Sequence, residues 1–276
     1  MVFSEPRKVL TELLAYCARG LMDLVEGATN WRIWYLIGAA ELRQRYARSS
    51  LGQFWLTLST ALSTLILGLV WSVLWNIQLS QFLPYIAVSI ILWQLMSAIL
   101  TESGSLLASN RHILLSQRLP CSTLIYAMLF KHLLSFAHNT VTILAVLIWF
   151  RLGLKPSILL LPVGLVLLAV AAVWSSYLLA IICTRYRDLN HAVQSAAQLI
   201  FYVTPILWKP DFLSEQYRAY LILNPFHDFM TILRSSILGE PFPSQEWAMC
   251  VLFAVGGYLV ALPIIGRYCR RILYWI

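Results

Sequence analysis

The sequence predicts an all-α integral membrane protein with six transmembrane helices, and three observations carry that reading. Of its 276 residues 60% are hydrophobic and 12% charged, with a mean hydropathy of +0.74, whereas soluble domains carry about 25% charged residues. No Asp, Glu, Lys or Arg occurs between Arg48 and Glu102, a run long enough for two crossings at about 20 residues each. The positive charge is also distributed unevenly along the chain. Glycine at 12 and proline at 11, with no G-x-y repeat, exclude collagen and low-complexity disorder. The net charge of +8 could indicate nucleic acid, but in so apolar a chain it fits basic loops facing anionic lipid, and no nucleic-acid partner is expected.

The charge-free run breaks at Asn76–Gln81, so the first two spans are placed at 51–75 and 82–107. The third is expected at 121–150, the fourth at 156–184, the fifth at 189–208 and the sixth at 247–266. The third is impure, holding Lys131, His132, His138 and Asn139, with Glu102 as a candidate partner for Lys131. His138 and Asn139 read as hydrogen-bonding groups for a neighbouring helix. Residues 1–50 form a separate amphipathic interface segment. There Leu10, Leu13, Leu14, Cys17, Leu21 and Leu24 recur at three and four residues, as on one apolar helix face lying on a membrane or a partner. In a second segment leading to the first span, Glu41 and Arg45 stand i,i+4. Between the fifth and sixth spans, segment 209–246 carries Asn224 as N-cap, Pro225 at N1 and Gly239 as a C′ stop. That pattern predicts a short helix over 225–238, apolar enough to re-enter the outer leaflet or cover a cavity.

Six spans put both termini on one side. That side collects fourteen Lys and Arg, among them Arg111, Arg185, Arg267 and Arg271, against five opposite: Arg151, Lys155, Lys209, Arg218 and Arg234. The positive-inside rule then places both termini in the cytoplasm. No cleavable signal is expected, since Glu5, Glu12, Asp23 and Glu26 interrupt the first 30 residues. The five cysteines show no C-x-x-C pair, so neither a disulfide nor a metal site is expected. The chain has no G-x-x-x-x-G-K-[ST] and no catalytic signature, and Glu102 is the lone acid in the spans. Carboxylates at the midplane, usual in proton-driven carriers, are missing. Energy for transport would come from another subunit, or no pumping occurs.

Glu41-Leu-Arg-Gln-Arg-Tyr-Ala-Arg-Ser-Ser-Leu-Gly-Gln-Phe-Trp-Leu-Thr-Leu-Ser59 resembles the lead-in motif of type-2 ABC exporter permeases, above all those exporting O-antigen and other lipid-linked polysaccharides. Arg118–Pro120, Arg185–Asp188, Thr204–Ile206, and Asn224–Phe226 with Arg234 follow in the family's order, over about 41–240. Gln53 and Thr60 depart from proline, and Ala47 from arginine. The resemblance implies a homodimer in the bacterial inner membrane, bound to two copies of a cytoplasmic ABC ATPase that holds the ATP and Mg. This chain would carry no cofactor and no catalytic residue. The implied cargo is a polysaccharide on an undecaprenyl diphosphate carrier; teichoic acid, another glycolipid or a drug are the rival cargoes. A membrane-embedded glycan polymerase or acyltransferase is the rival class, with Asp211, Glu215, Asp228, Glu240 and Glu246 available on the outer face.

Four groups of candidate residues follow. Arg43, Arg45 and Arg48 stand at the inner headgroup level; they either bind the carrier's diphosphate, which suits the planar guanidinium, or serve as ordinary positive-inside anchors. Trp55, Trp71, Trp75, Trp93, Phe201 and Tyr202 either line a channel, offering flat faces to sugar rings, or belong to interfacial belts. Asn110, Arg111, Arg118, Arg187 and Asp188 form the expected ATPase-coupling surface, with Asn110 capping a short helix and Arg187 able to pair with Asp188. Pro205, Asn224, Pro225, Phe226 and Arg234 make up a periplasmic gate, Pro205 bending the fifth span.

Overall fold

A computed structural model of the chain describes residues 5–46, 52, 54–117, 119–153 and 155–275. Among them the secondary structure is helical throughout, with no strand. Two helices precede the membrane domain, α1 (Glu5–Thr29) and α2 (Trp31–Tyr46). The domain itself comprises α3 (Phe54–Leu74), α4 (Leu79–Ser109), the short α5 (Arg111–Ser116), α6 (Cys121–Trp149) and α7 (Leu161–Arg185), the last entered through a 3-10 turn at Pro156–Leu160. It continues with α8 (Leu189–Val203), α9 (Glu215–Arg218), α10 (Pro225–Leu238) and α11 (Ser244–Tyr268). Five of these are long and apolar enough to cross a membrane: α3, α4, α6, α7 with its leading turn, and α11. The chain is a multi-pass membrane protein.

The expected fifth span, 189–208, is the exception. Its helix stops at Val203 because Pro205 has no N–H to continue the ladder, and 15 residues rise only about 22 Å. A bent, non-helical stretch over Thr204–Trp208 carries on from there. A side chain at Gly104, in the inner third of α4, would meet the Asn190 side-chain oxygen at the start of α8. At the other end, the Tyr85 hydroxyl lies 3.0 Å from the Pro205 carbonyl and 2.8 Å from that of Trp208. The stretch from Asn190 to Trp208 thus runs beside α4 over the interval from Gly104 to Tyr85, about 28 Å along a helix axis.

Helix α4 is the shaft of the bundle. It packs against α3, α6, α7, α8 and α10, and its first half is almost wholly buried. The turn before it falls where expected, with Asn76 in the left-handed region at φ 51°. Helix α3, by contrast, leaves Leu58, Leu62, Ile66, Leu69 and Val73 exposed to the apolar phase.

The N-terminal helix docks on the bundle by a face other than the leucine face, which was expected to lie on a membrane or a partner. Leu13, Leu14 and Leu21 are exposed, and only Leu24 of that set is fully buried among the described side chains. The docked face is built on glycines. A Cβ on Gly20 would overlap the Leu262 carbonyl, and one on Gly266 would overlap the Tyr16 carbonyl, so α1 and α11 touch backbone to backbone. Small residues permit this approach where leucines would hold the axes apart. Asp23 fastens the crossing. It accepts from Ser122 N at 3.3 Å and from the Tyr177 hydroxyl at 3.0 Å, while Ser122 Oγ donates to its carbonyl at 2.6 Å. The N-cap of α6 is Pro120, which has no side chain to cap with; a carboxylate from α1 supplies the missing acceptor. Burial pushes the Asp23 carboxyl above the ordinary carboxylate range, outweighing the hydrogen bonds from Ser122 and Tyr177 that act to lower it.

Candidate functional site

An open cavity of about 910 Å³ lies between α4, α6 and α8, within the size range of ligand sites. Its α4 wall is a stripe at helical spacing, Ser97, Thr101 and Ser105, with Glu102 beside it, and α8 faces it with Gln194 and Gln198. His132 closes one end; Trp93, Phe201 and Tyr202 form the other. Trp93 and Phe201 meet at a centroid distance of 5.8 Å, and Phe201 and Tyr202 edge-on at 5.4 Å. A smaller cavity of about 370 Å³ shares Ser97, Thr101 and His132 and adds Gln94, Ser135 and Asn139. The surface is therefore aromatic at one end and rich in neutral hydrogen-bonding groups along its length.

The predicted aromatic set divides. Trp93, Phe201 and Tyr202 come together at the cavity. Trp71 and Trp75 stack on each other instead (5.9 Å) and reach Phe212 (4.8 Å from Trp75) at the outer end of α3, while Trp55 points out of the fold near the inner end. Trp174 packs against Phe253 at 5.0 Å, away from the cavity.

Below the cavity Lys131 is buried between two carboxylates. Its Nζ donates to Glu41 Oε2 at 2.5 Å and to Glu102 Oε1, and His132 Nε2 stands 2.9 Å from Glu102 Oε2. The expected Lys131–Glu102 pair is present; Glu41, which the i,i+4 spacing assigned to Arg45, is the partner sequence reasoning missed. Higher on the same helices, Asn139 donates to Gln94 Oε1 (3.2 Å) and lies 3.5 Å from the Thr57 hydroxyl, so it bridges helices as expected. His138 does not: its Nδ1 lies 2.8 Å from the Leu134 carbonyl of its own helix.

At the outer end the gate residues converge, and the hub is a residue the sequence did not single out, Tyr85. Besides its two hydroxyl contacts, its ring carries the Arg234 guanidinium 4.3 Å above the centroid and Lys209 at 5.5 Å. Arg234, 3% exposed, donates from Nη1 to the Pro205 carbonyl (3.1 Å) and to Ser89 Oγ (3.3 Å), with Glu240 3.9 Å from its Nε. Helix α10 starts and stops where expected. Asn224 accepts from Phe226 N at 3.0 Å, Pro225 follows, and Gly239 closes the helix at φ 69°. The Asn224 amide also donates to Thr204 Oγ1 (3.0 Å), and Phe226 packs edge-on against Trp93 (5.9 Å). The outer cluster and the cavity therefore share a wall.

The residues expected at the inner face are less concentrated. Helix α5 forms as expected, but Asn110 turns its amide back to the Leu106 carbonyl (3.0 Å) and does not cap it. Arg111, Arg187 and Asp188 are exposed, and no ion pair joins Arg187 to Asp188. Arg118 and Arg48 lie outside the described residues, as does the Arg45 side chain; Arg43 is exposed on α2. The signal for the cavity was available in the sequence. Gln94, Ser97, Thr101, Glu102 and Ser105 recur at three and four residues through an otherwise apolar run, and Gln194 and Gln198 stand i,i+4.

Comparison with known proteins adds two findings. Residues 33–238 match the family described as ABC-2 type transporter. The chain is also 25% identical over 215 residues to the O-antigen export system permease protein RfbA of Myxococcus xanthus, covering 76% of this chain and 82% of that protein. A protein of the same name from Klebsiella pneumoniae is 25% identical over 209 residues, covering 74% of this chain and 76% of that one.

Proposed function

The chain belongs to the ABC-2 type transporter family, and from that premise we propose that it is the permease subunit of an ABC exporter for a lipid-linked polysaccharide. The cargo is of O-antigen type, carried on undecaprenyl diphosphate across the bacterial inner membrane. The observation that carries this reading is the cavity between α4 and α8. Flat aromatic faces at Trp93, Phe201 and Tyr202 suit the C–H faces of sugar rings, and the Ser, Thr and Gln stripe offers donors and acceptors to hydroxyls. The names of the 25% identical relatives support the same cargo class.

Six crossings follow if the stretch from Asn190 to Trp208 spans the bilayer as helix and then bent, non-helical chain. Shielding of its backbone by α4 and Arg234 is what such a crossing requires. Both termini are then cytoplasmic. A second copy of the chain completes the conduit, and the exposed Arg111, Arg187 and Asp188 at the inner end dock a separate ATPase that holds ATP and Mg. Arg43, Arg45 and Arg48 receive the carrier's diphosphate at the inner headgroup level. The chain itself has no catalytic role. Among the acids a glycan enzyme would draw on, Asp211 is paired with Arg218 (3.5 Å), Asp228 with His227 (3.1 Å) and Glu240 with Arg234.

Proteoliposomes containing the permease with its co-purified ATPase test the proposal. Lipid-linked glycan added on the nucleotide side should become accessible to an enzyme sealed on the opposite side only when ATP is supplied. Transfer by the permease alone, or chemical conversion of the glycan by the permease alone, overturns it.

A further inference from the structure

We propose that Glu102 and His132 form a saccharide-contacting floor of the cavity, and that Lys131 couples this floor to Glu41, so that cavity occupancy and the position of α2 are linked. The inference rests on the glycan reading above and assigns its polar contact and its relay. Lys131 is 4% exposed and holds a carboxylate on either side, one from α2 and one from α4, whereas Glu41 and Glu102 remain 30% and 24% exposed. Burying a cation between two acids does not favour stability over a well-packed apolar side chain, and registry or switching is the best-attested use of such an arrangement. The asymmetry of the trio indicates which parts it joins. Glu102 lines the cavity together with His132, while Glu41 belongs to a helix that packs along α6 and leads to the first span.

Among the described residues each Glu102 oxygen has one partner, Lys131 on Oε1 and His132 on Oε2. A carboxylate has about four lone-pair sites, so acceptor capacity remains toward the cavity. The ligand chemistry that fits is a vicinal diol, whose two O–H groups donate to one carboxylate. Donors arriving at Glu102 compete with Lys131 for its charge and shift the ammonium toward Glu41, tightening α2 on α6. By reciprocity, anything that pulls α2 from α6 returns Lys131 to Glu102 and weakens its hold on hydroxyls. Glu102 is thus a binding residue; Lys131 and Glu41 act through it as positioning residues.

The test uses the permease–ATPase complex in nanodiscs, with a short undecaprenyl diphosphate-linked oligosaccharide as probe, reading its affinity and its stimulation of ATP turnover separately. Glu102→Gln should weaken probe binding about tenfold or more, the effect of one charge-assisted hydrogen bond. Glu41→Gln leaves Lys131 on Glu102, so by that reciprocity affinity should fall, but by less than in Glu102→Gln, while stimulation is lost. Lys131→Arg, able to bond both carboxylates, should retain both readouts and shows that the trio folds with a cation at that place. Stimulation of Glu41→Gln equal to that of the unsubstituted chain overturns the relay and leaves the cargo reading standing. Unchanged affinity in Glu102→Gln overturns the floor. A complex of the unsubstituted chain that neither binds the probe nor responds to it overturns the cargo reading, and this proposal with it.

Discussion

Replacing Tyr85 by Phe removes one hydroxyl from the outer cluster and leaves its shape. The ring stays between Arg234 at 4.3 Å and Lys209 at 5.5 Å, so the cation–π contacts survive. The Pro205 carbonyl keeps its bond from Arg234 Nη1 at 3.1 Å. The Trp208 carbonyl loses the 2.8 Å contact from the hydroxyl. One shielded acceptor left bare costs about 1–2 kcal/mol, and that cost falls on the segment that continues α8. Local opening of the chain from Thr204 to Trp208 should therefore become about 5–30 times more frequent. Hydrogen exchange read residue by residue is the assay. The Ile206 amide, bonded to the Thr204 carbonyl at 2.8 Å, and the Thr204 amide, bonded to the Ile200 carbonyl at 2.9 Å, should exchange faster by that factor. Amides at the inner end of α4 should not change. Acceleration below about twofold at Ile206, or an equal acceleration throughout α4 and α6, refutes the assignment of Tyr85 as the post that holds the broken crossing.

Further outcomes follow from the same structure. Asp23→Ala removes the acceptor for Ser122 N and should loosen α1 by about 1 kcal/mol, seen as faster tryptic cleavage at Arg19; Asp23→Asn keeps the acceptor and should not. Because burial raises the Asp23 pKa, its neutral form favours the docked helix. Docking should be firmest below the ordinary carboxylate pKa and weaken as pH rises through the raised value, a dependence that Asp23→Asn abolishes. Gly266→Leu drives a side chain into the Tyr16 carbonyl and should cost about 1–3 kcal/mol, read as loss of a cysteine cross-link engineered between α1 and α11. Trp93→Ala and Tyr202→Ala should each weaken glycan binding several-fold, whereas Trp55→Ala, on a residue pointing away from the cavity, should leave the isotherm unchanged.

The helical fold, the break at Asn76 and the outer helix were legible because each depends on local chemistry: an apolar run, a left-handed turn, a cap followed by Pro and ended by Gly. Helix α10 is the clearest case, since Asn224, Pro225 and Gly239 act within their own few residues of backbone. What was not legible depends on partners far along the chain. Leucine periodicity in α1 leaves Leu13, Leu14 and Leu21 exposed, and it could not show the docking on α11, which was decided by whether Gly20 and Gly266 could bring two backbones together. The fifth span reads as continuous to 208 by hydropathy, with Pro205 expected only to bend it, whereas the helix ends at Val203. Glu41 has a favourable neighbour at i,i+4 in Arg45, and nothing local reveals Lys131, 90 residues away, as its partner.

The same contrast explains why the most buried of the long helices, α4, holds the fold's register. In hydrocarbon, one apolar face packs against another with little preference for how far each slides, so polar contacts select the depth. Helix α4 carries three, at about 9, 22 and 34 Å from its outer end by helical rise. Tyr85 and Ser89 fix the outer segment and α10, Gln94 joins α3 and α6 through Thr60 and Asn139, and Glu102 joins α6 and, through Lys131, α2. The layers bind different sets of neighbours, so sliding α10 or α3 breaks one layer and leaves the other two intact, whereas sliding α6 breaks two. A bundle held this way can shift α10 or α3 without releasing the contacts of the other layers, which a uniformly apolar contact along α4 would not provide.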